Sequence, residues 1–136
     1  MNISLFTTLY ALSVPIFFLI DMLWLGVIAR DFYQTRLAGL LGDVNWVAAI
    51  IFYLIFLVGL TFFAIYPSVE ARSLASALIL GALFGFFTYA TYDLTNLATL
   101  NDWPLTVALV DIVWGTVLGA SVSAGTYVLY LRLFVG

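Results

Sequence analysis

Asp21, Asp93 and Asp111 each stand inside a stretch of otherwise apolar residues, and the chain has no lysine, histidine or cysteine to set beside them. An ionisable group in such a stretch is costly to keep out of water, so it marks a candidate functional site. Three like charges at one depth of a low-dielectric interior cannot all stay ionised. Two chemistries follow. The cluster can hold and exchange protons, as carboxylate chains do in pumps and transporters, or it can bind a compensating cation, either a metal ion or a protonated small molecule. If a metal is bound, Asp21, Asp93 and Asp111 are its ligands, and oxygen donors of this kind suit Mg²⁺, Ca²⁺ or Mn²⁺.

Each aspartate brings polar or aromatic neighbours on its own helix face. Trp24 follows Asp21 at i+3, and Trp114 follows Asp111 at i+3. Asp93 has Tyr89 at i−4 and Asn96 at i+3, with Tyr92 beside it. Residues three and four apart share a helix surface, and indole, phenol and amide groups can all donate to a carboxylate. The tryptophans could also attract an organic ammonium through their ring faces. Arg30 and Arg36 follow the first acidic segment closely enough to serve as a gate or counter-charge over the site. A purely structural role as helix staples fits less well. Side-chain hydrogen bonds in membranes contribute only about 0.6 kcal/mol on average, against an insertion cost of roughly 2.5–3.5 kcal/mol for a central aspartate.

The elements that must position these residues are legible from composition. The 136 residues are 65% hydrophobic and 8% charged. Residues 1–20, 44–69, 73–92 and 112–131 carry no charged side chain at all. A helix needs roughly 20 apolar residues to cross a bilayer, so four crossings use nearly the whole chain. The expected fold is all-α: a polytopic membrane bundle of four transmembrane helices, about 4–29, 45–66, 73–97 and 105–134, forming one membrane domain over 1–136. The first segment lacks a basic leader and a small-residue cleavage site, and is expected to be a retained span. The second is expected to close at Tyr66–Pro67. Asn101–Pro104 is expected to cap the fourth.

Between the first two spans, Tyr33, Leu37, Leu40, Leu41 and Val44 recur at helical spacing while Arg30, Asp31, Arg36 and Asp43 fall mostly elsewhere. That pattern predicts a short amphipathic helix in the headgroup plane, although Gly39 and Gly42 weaken it. With this topology Asp21, Asp93 and Asp111 all lie roughly 10–14 Å from the membrane face that carries the link, at about 1.5 Å of rise per residue. Ala77, Gly81 and Gly85, and likewise Gly115, Gly119 and Ser123, form small-residue rows that let helices approach closely. Arginines divide equally between the two faces, so charge does not set the orientation; the termini are placed on the cytoplasmic side of a bacterial inner membrane as an expectation only.

The segments Asp21-Met-Leu-Trp24-Leu-Gly26, Thr91-Tyr92-Asp93-Leu-Thr95-Asn96 and Asp111-Ile-Val-Trp114-Gly115 resemble those of a bacterial family of small four-helix membrane proteins, domain of unknown function twenty-one seventy-seven. The resemblance covers nearly the full chain. It implies a four-span architecture and a shared set of polar residues at the quoted positions, and it implies no activity, substrate or cofactor.

The expected partner is the lipid bilayer, with a homo-oligomer or a larger membrane complex as further associations. Four arginines and a net charge of −3 leave a nucleic-acid role no electrostatic footing. The leading functional expectation is an acidic intramembrane site that binds a proton, a cation or a protonated small molecule, with transport as one use. An accessory or assembly subunit of a larger complex comes second. A lipid-acting intramembrane enzyme comes third, since paired carboxylates can serve as acid and base.

Overall fold

Four helices carry the chain back and forth, Ile3–Ile28, Trp46–Glu70, Leu74–Thr99 and Leu105–Phe134, each long and apolar enough to cross a bilayer. They are seen in a computed structural model that describes residues 1–136. A short fifth helix, Arg30–Arg36, lies in the link between the first two. There is no strand, and the architecture is the all-α four-span membrane protein that composition predicts.

Helix starts follow side-chain chemistry. Asn2, Asn45 and Ser73 each accept a backbone N–H from three residues on, at 3.2, 3.1 and 3.1 Å, and so cap the first three spans. The fourth begins differently. Pro104 is its cap residue and no side chain bonds the first turn, so Asn101 and Asp102 form the preceding turn and do not cap the helix.

The second span does not close at Tyr66–Pro67 but runs on to Glu70. A proline ring inside a helix clashes with the carbonyl four residues back. Here the turn just before it, Thr61–Ile65, is widened to π-helical geometry, with the Tyr66 N–H reaching Thr61 O. That wide turn lets the helix carry Pro67 without breaking.

The third and fourth spans form the tightest pair. A Cβ placed on Gly85 would fall on the carbonyl of Gly115, and one on Gly119 would fall on the carbonyl of Gly81. Backbone therefore meets backbone along both small-residue rows, which are occupied inside the chain. The first span packs chiefly on the fourth, and its Leu9 and Phe17 join Leu57, Leu60, Leu118 and Val122 in the buried core.

Link lengths explain the remaining shape. A tight turn at Ala71–Arg72, where Arg72 takes a φ of 50°, pins the second span to the third at one membrane face. At the other face, the link from Ala29 to Asn45 is long enough to let the second span lean away. That span meets the third chiefly through Thr61–Ile65, and beyond this level the two helices part. The helical part of the link stops at Arg36, well short of the sixteen-residue pattern, and Gly39 and Gly42 lie in the irregular stretch that follows. Without a Cβ, glycine makes continued helix about 1 kcal/mol costlier per residue than alanine.

Candidate functional site

Where the second span parts from the third, the link folds over the opening and leaves a half-open cavity of about 660 Å³. Its walls are mostly apolar. Leu37, Leu41 and Val44 of the link form one side, and Phe52, Tyr53, Tyr89 and Trp114 form another. Asp21 and Asp111 supply its acidic groups, while Arg30 and Gln34 come from the linking helix. Phe52 and Tyr92 also line it and are 53% and 58% exposed, so the cavity borders the hydrocarbon between the second and third spans.

Asp21 is only 2% exposed. Its Oδ1 accepts the Nε1–H of Trp114, from the fourth span, at 3.2 Å, and the Tyr53 hydroxyl is a further neighbour. Its Oδ2 is buried and has no partner. Asp111 accepts the hydroxyl of Tyr33, which accepts in turn from the Trp24 Nε1–H at 3.2 Å. Burial first, and the bond to Asp111 second, hold the Tyr33 hydroxyl well above the usual phenol range, so it remains a donor at ordinary pH.

The tryptophans therefore do not serve the aspartates of their own helices. Trp114 serves Asp21 directly, and Trp24 serves Asp111 through Tyr33. The two indoles stack between the first and fourth spans, 4.2 Å apart and 7° from parallel. A side chain at i+3 shares the aspartate's face, but its polar edge reaches across the gap to the neighbouring helix. The π-helical turn Trp24–Ile28 follows directly on the segment that carries Asp21 and begins at Trp24 itself; such turns are frequent at functional sites. Gly115 has a separate use, since a Cβ there would strike the Tyr89 ring.

Asp93 is fully buried and adjoins Asp111 and Trp103. It does not line the cavity, and neither of its carboxyl oxygens has a hydrogen-bond partner. Asp21 and Asp111 thus both line the cavity, while Asp93 adjoins Asp111 outside its lining. No set of three carboxylates gathers closely enough to hold a metal ion.

The other expected site residues divide. Tyr89, Tyr92, Trp114 and Arg30 reach the cavity, whereas Trp24, Asn96 and Arg36 do not. Arg36 donates to Thr106 Oγ1 at 2.8 Å and lies 5.6 Å from the Phe32 ring centroid. It ties the linking helix to the start of the fourth span.

Tyr33, Gln34, Phe52 and Tyr53 were not foreseen as site residues. Tyr33 belonged to the apolar stripe of the link, and that was its signal: the stripe faces the cavity. Tyr53 and Phe52 carried none, being two among 12 Phe and 8 Tyr.

The family described as "Predicted membrane protein (DUF2177)" matches residues 6–128. No curated protein and no solved structure matches the chain. The match takes in the second and third spans, most of the first and fourth, the link and every aspartate of the candidate site, and the chain belongs to the DUF2177 family of membrane proteins.

Proposed function

We propose that the protein binds a cation in this cavity, a charged small molecule with an apolar body, and that transport of such a molecule is the use the site serves. The observation that carries this reading is the Oδ2 of Asp21: buried, unpartnered and set in the wall of a cavity that also holds Asp111. A buried carboxylate is tolerable only when paired, and the nearest protein cation is Arg30 alone, at the linking-helix side. A ligand cation between the two aspartates supplies the missing partner. The ring faces of Tyr53, Tyr89 and Trp114 add attraction of about 0.5–2 kcal/mol to an organic cation. The volume lies inside the range of roughly 300–1,000 Å³ typical of small-molecule sites. The parted second and third spans give an amphipathic ligand a lateral way in from the bilayer.

The accessory-subunit reading draws on small-residue faces and aromatic surfaces; the small-residue faces are occupied between the third and fourth spans, while aromatics such as Phe62, Phe63 and Phe87 stay exposed. For the lipid-acting enzyme, no group of three metal-ligating side chains stands beside the aspartates.

Charge selectivity tests the reading. Tetraphenylphosphonium and tetraphenylborate share size and shape and differ in sign. Titrated into the purified protein in neutral detergent and followed by tryptophan fluorescence, the phosphonium is expected to saturate one site per chain. The borate is expected neither to saturate a site nor to compete. Equal binding of the two ions would contradict an acidic site.

A further inference from the structure

Asp93 has no use in the cavity just described, yet its side chain is closed off from solvent. Its two oxygens find no donor, and the Nε1–H of the adjoining Trp103 is likewise buried without an acceptor. No arginine stands near enough to form an ion pair with it. Arg30 lies on the cavity side, Arg36 is bonded to Thr106, and Arg72 and Arg132 are at the far ends of their helices. A bare carboxylate in these surroundings would carry the full cost of an unpaired buried charge. A carboxylic acid would not, because its O–H can be given to the one strong acceptor beside it, Asp111, which already accepts from Tyr33.

We propose that Asp93 holds a proton shared with Asp111, and that a cation entering the cavity displaces it, so that the site exchanges one cation for one proton. This rests on the cation reading above. The balance is simple. Before binding, Asp93 is the acid and Asp111 the carboxylate. The arriving positive charge is compensated when the O–H of Asp93 breaks and its proton leaves to water. The route passes Trp103 towards the exposed turn at Asn101 and Asp102. The idle indole N–H of Trp103 then gains a carboxylate acceptor, which accounts for two unsatisfied polar groups standing side by side. The other titratable groups around Asp93 do not compete for this role. Tyr33 faces it from the linking helix and stays neutral, Tyr89 and Tyr92 on its own span are phenols, and Asp21 is held by Trp114.

Two measurements on the full chain separate this inference from the reading beneath it. Infrared spectroscopy of the ligand-free protein is expected to show a protonated-carboxyl C=O band that Asp93→Asn removes and Asp21→Asn keeps. No ligand is needed for that arm. In weakly buffered solution, tetraphenylphosphonium, which has no proton of its own, is expected to release about one proton per cation bound. Its affinity is then expected to rise about tenfold per pH unit while Asp93 is protonated in the free protein. Asp93→Asn is expected to bind with neither proton release nor that slope. Trp103→Phe, which removes only the waiting donor, is expected to move the slope to higher pH. A missing Asp93-dependent band, or wild-type binding with no proton released, overturns the exchange. If no phosphonium binds to wild type, the cation reading falls, and the infrared band alone decides whether Asp93 holds its proton.

Discussion

Asp21→Asn is expected to weaken tetraphenylphosphonium binding by about 100-fold, or roughly 3 kcal/mol, without loosening the fold. Asparagine preserves the volume of the side chain and the oxygen that accepts from Trp114 Nε1. What it removes is the negative charge on the buried oxygen that lacks a partner. A charge pair about 4 Å apart at an effective dielectric of about 20 is worth about 4 kcal/mol. Some of that returns because the neutral amide is cheaper to bury, which is why the expected loss lies below the full Coulomb figure. Isothermal titration of wild type, Asp21→Asn and Glu70→Asn measures it. Glu70 is exposed at the opposite membrane face, and its variant should bind as wild type does. Equal affinities for all three proteins would remove Asp21 from the site.

Gly85→Ala is expected to lower the thermal midpoint in detergent by about 5–10 °C, and Gly85→Val to prevent recovery of a monodisperse protein. Even a single methyl at position 85 would occupy the place of the Gly115 carbonyl. Backbone cannot rotate aside as a flexible side chain can, so the third and fourth helices must separate along their length. Overpacking of this kind costs about 1–3 kcal/mol for a methyl or two, and more when the obstacle is rigid. The damage reaches the site as well, because these two helices carry Tyr89, Asp93, Asp111 and Trp114. Gly26→Ala is the matched control. A Cβ there meets nothing within 4 Å, and alanine is the better helix former, so its midpoint should stay level or rise slightly. Thermal unfolding followed by size-exclusion chromatography distinguishes the variants. A Gly85→Ala protein as stable as Gly26→Ala would contradict the backbone contact.

These two outcomes mirror what the chain discloses before it is folded. The four spans are legible because long uncharged runs have one stable reading in a bilayer. The small-residue rows at Gly81, Gly85, Gly115 and Gly119 are legible for the same reason, since close approach needs residues without bulk. The three aspartates announce themselves by cost. Their division of labour does not, because depth can be counted along a helix but rotation about the helix axis cannot. Asp93 is expected at the same depth as the others and yet does not line the cavity. The i+3 tryptophans suggested pairs within each helix, yet indole is long enough to reach the next one, and Trp114 meets Asp21 there. Tyr53 and Phe52 were hidden by the uniform aromatic content of the spans. The end of the second helix was misjudged because a widened turn ahead of Pro67 removes the clash that ordinarily stops a helix at proline.

Exchange of one cation for one proton, if Asp93 performs it, would give four helices a means of driving a ligand with the proton gradient. Asp111 would link the two events, touching the ligand in the cavity and adjoining Asp93 outside its lining. Tyr33 would add a third contact from the linking helix, so that a change of charge at Asp111 is felt by the segment covering the cavity. The central requirement of this scheme remains the cavity itself, with Asp21 and Asp111 both facing a bound positive charge.

Anomalous diffraction from crystals grown with tetraphenylarsonium tests that requirement most directly, because the arsenic atom marks the charge. The expected result is a single arsenic peak per chain inside the space bounded by Asp21, Tyr53, Tyr89 and Asp111. An arsenic peak on the lipid-facing surface, with that space empty, would contradict it.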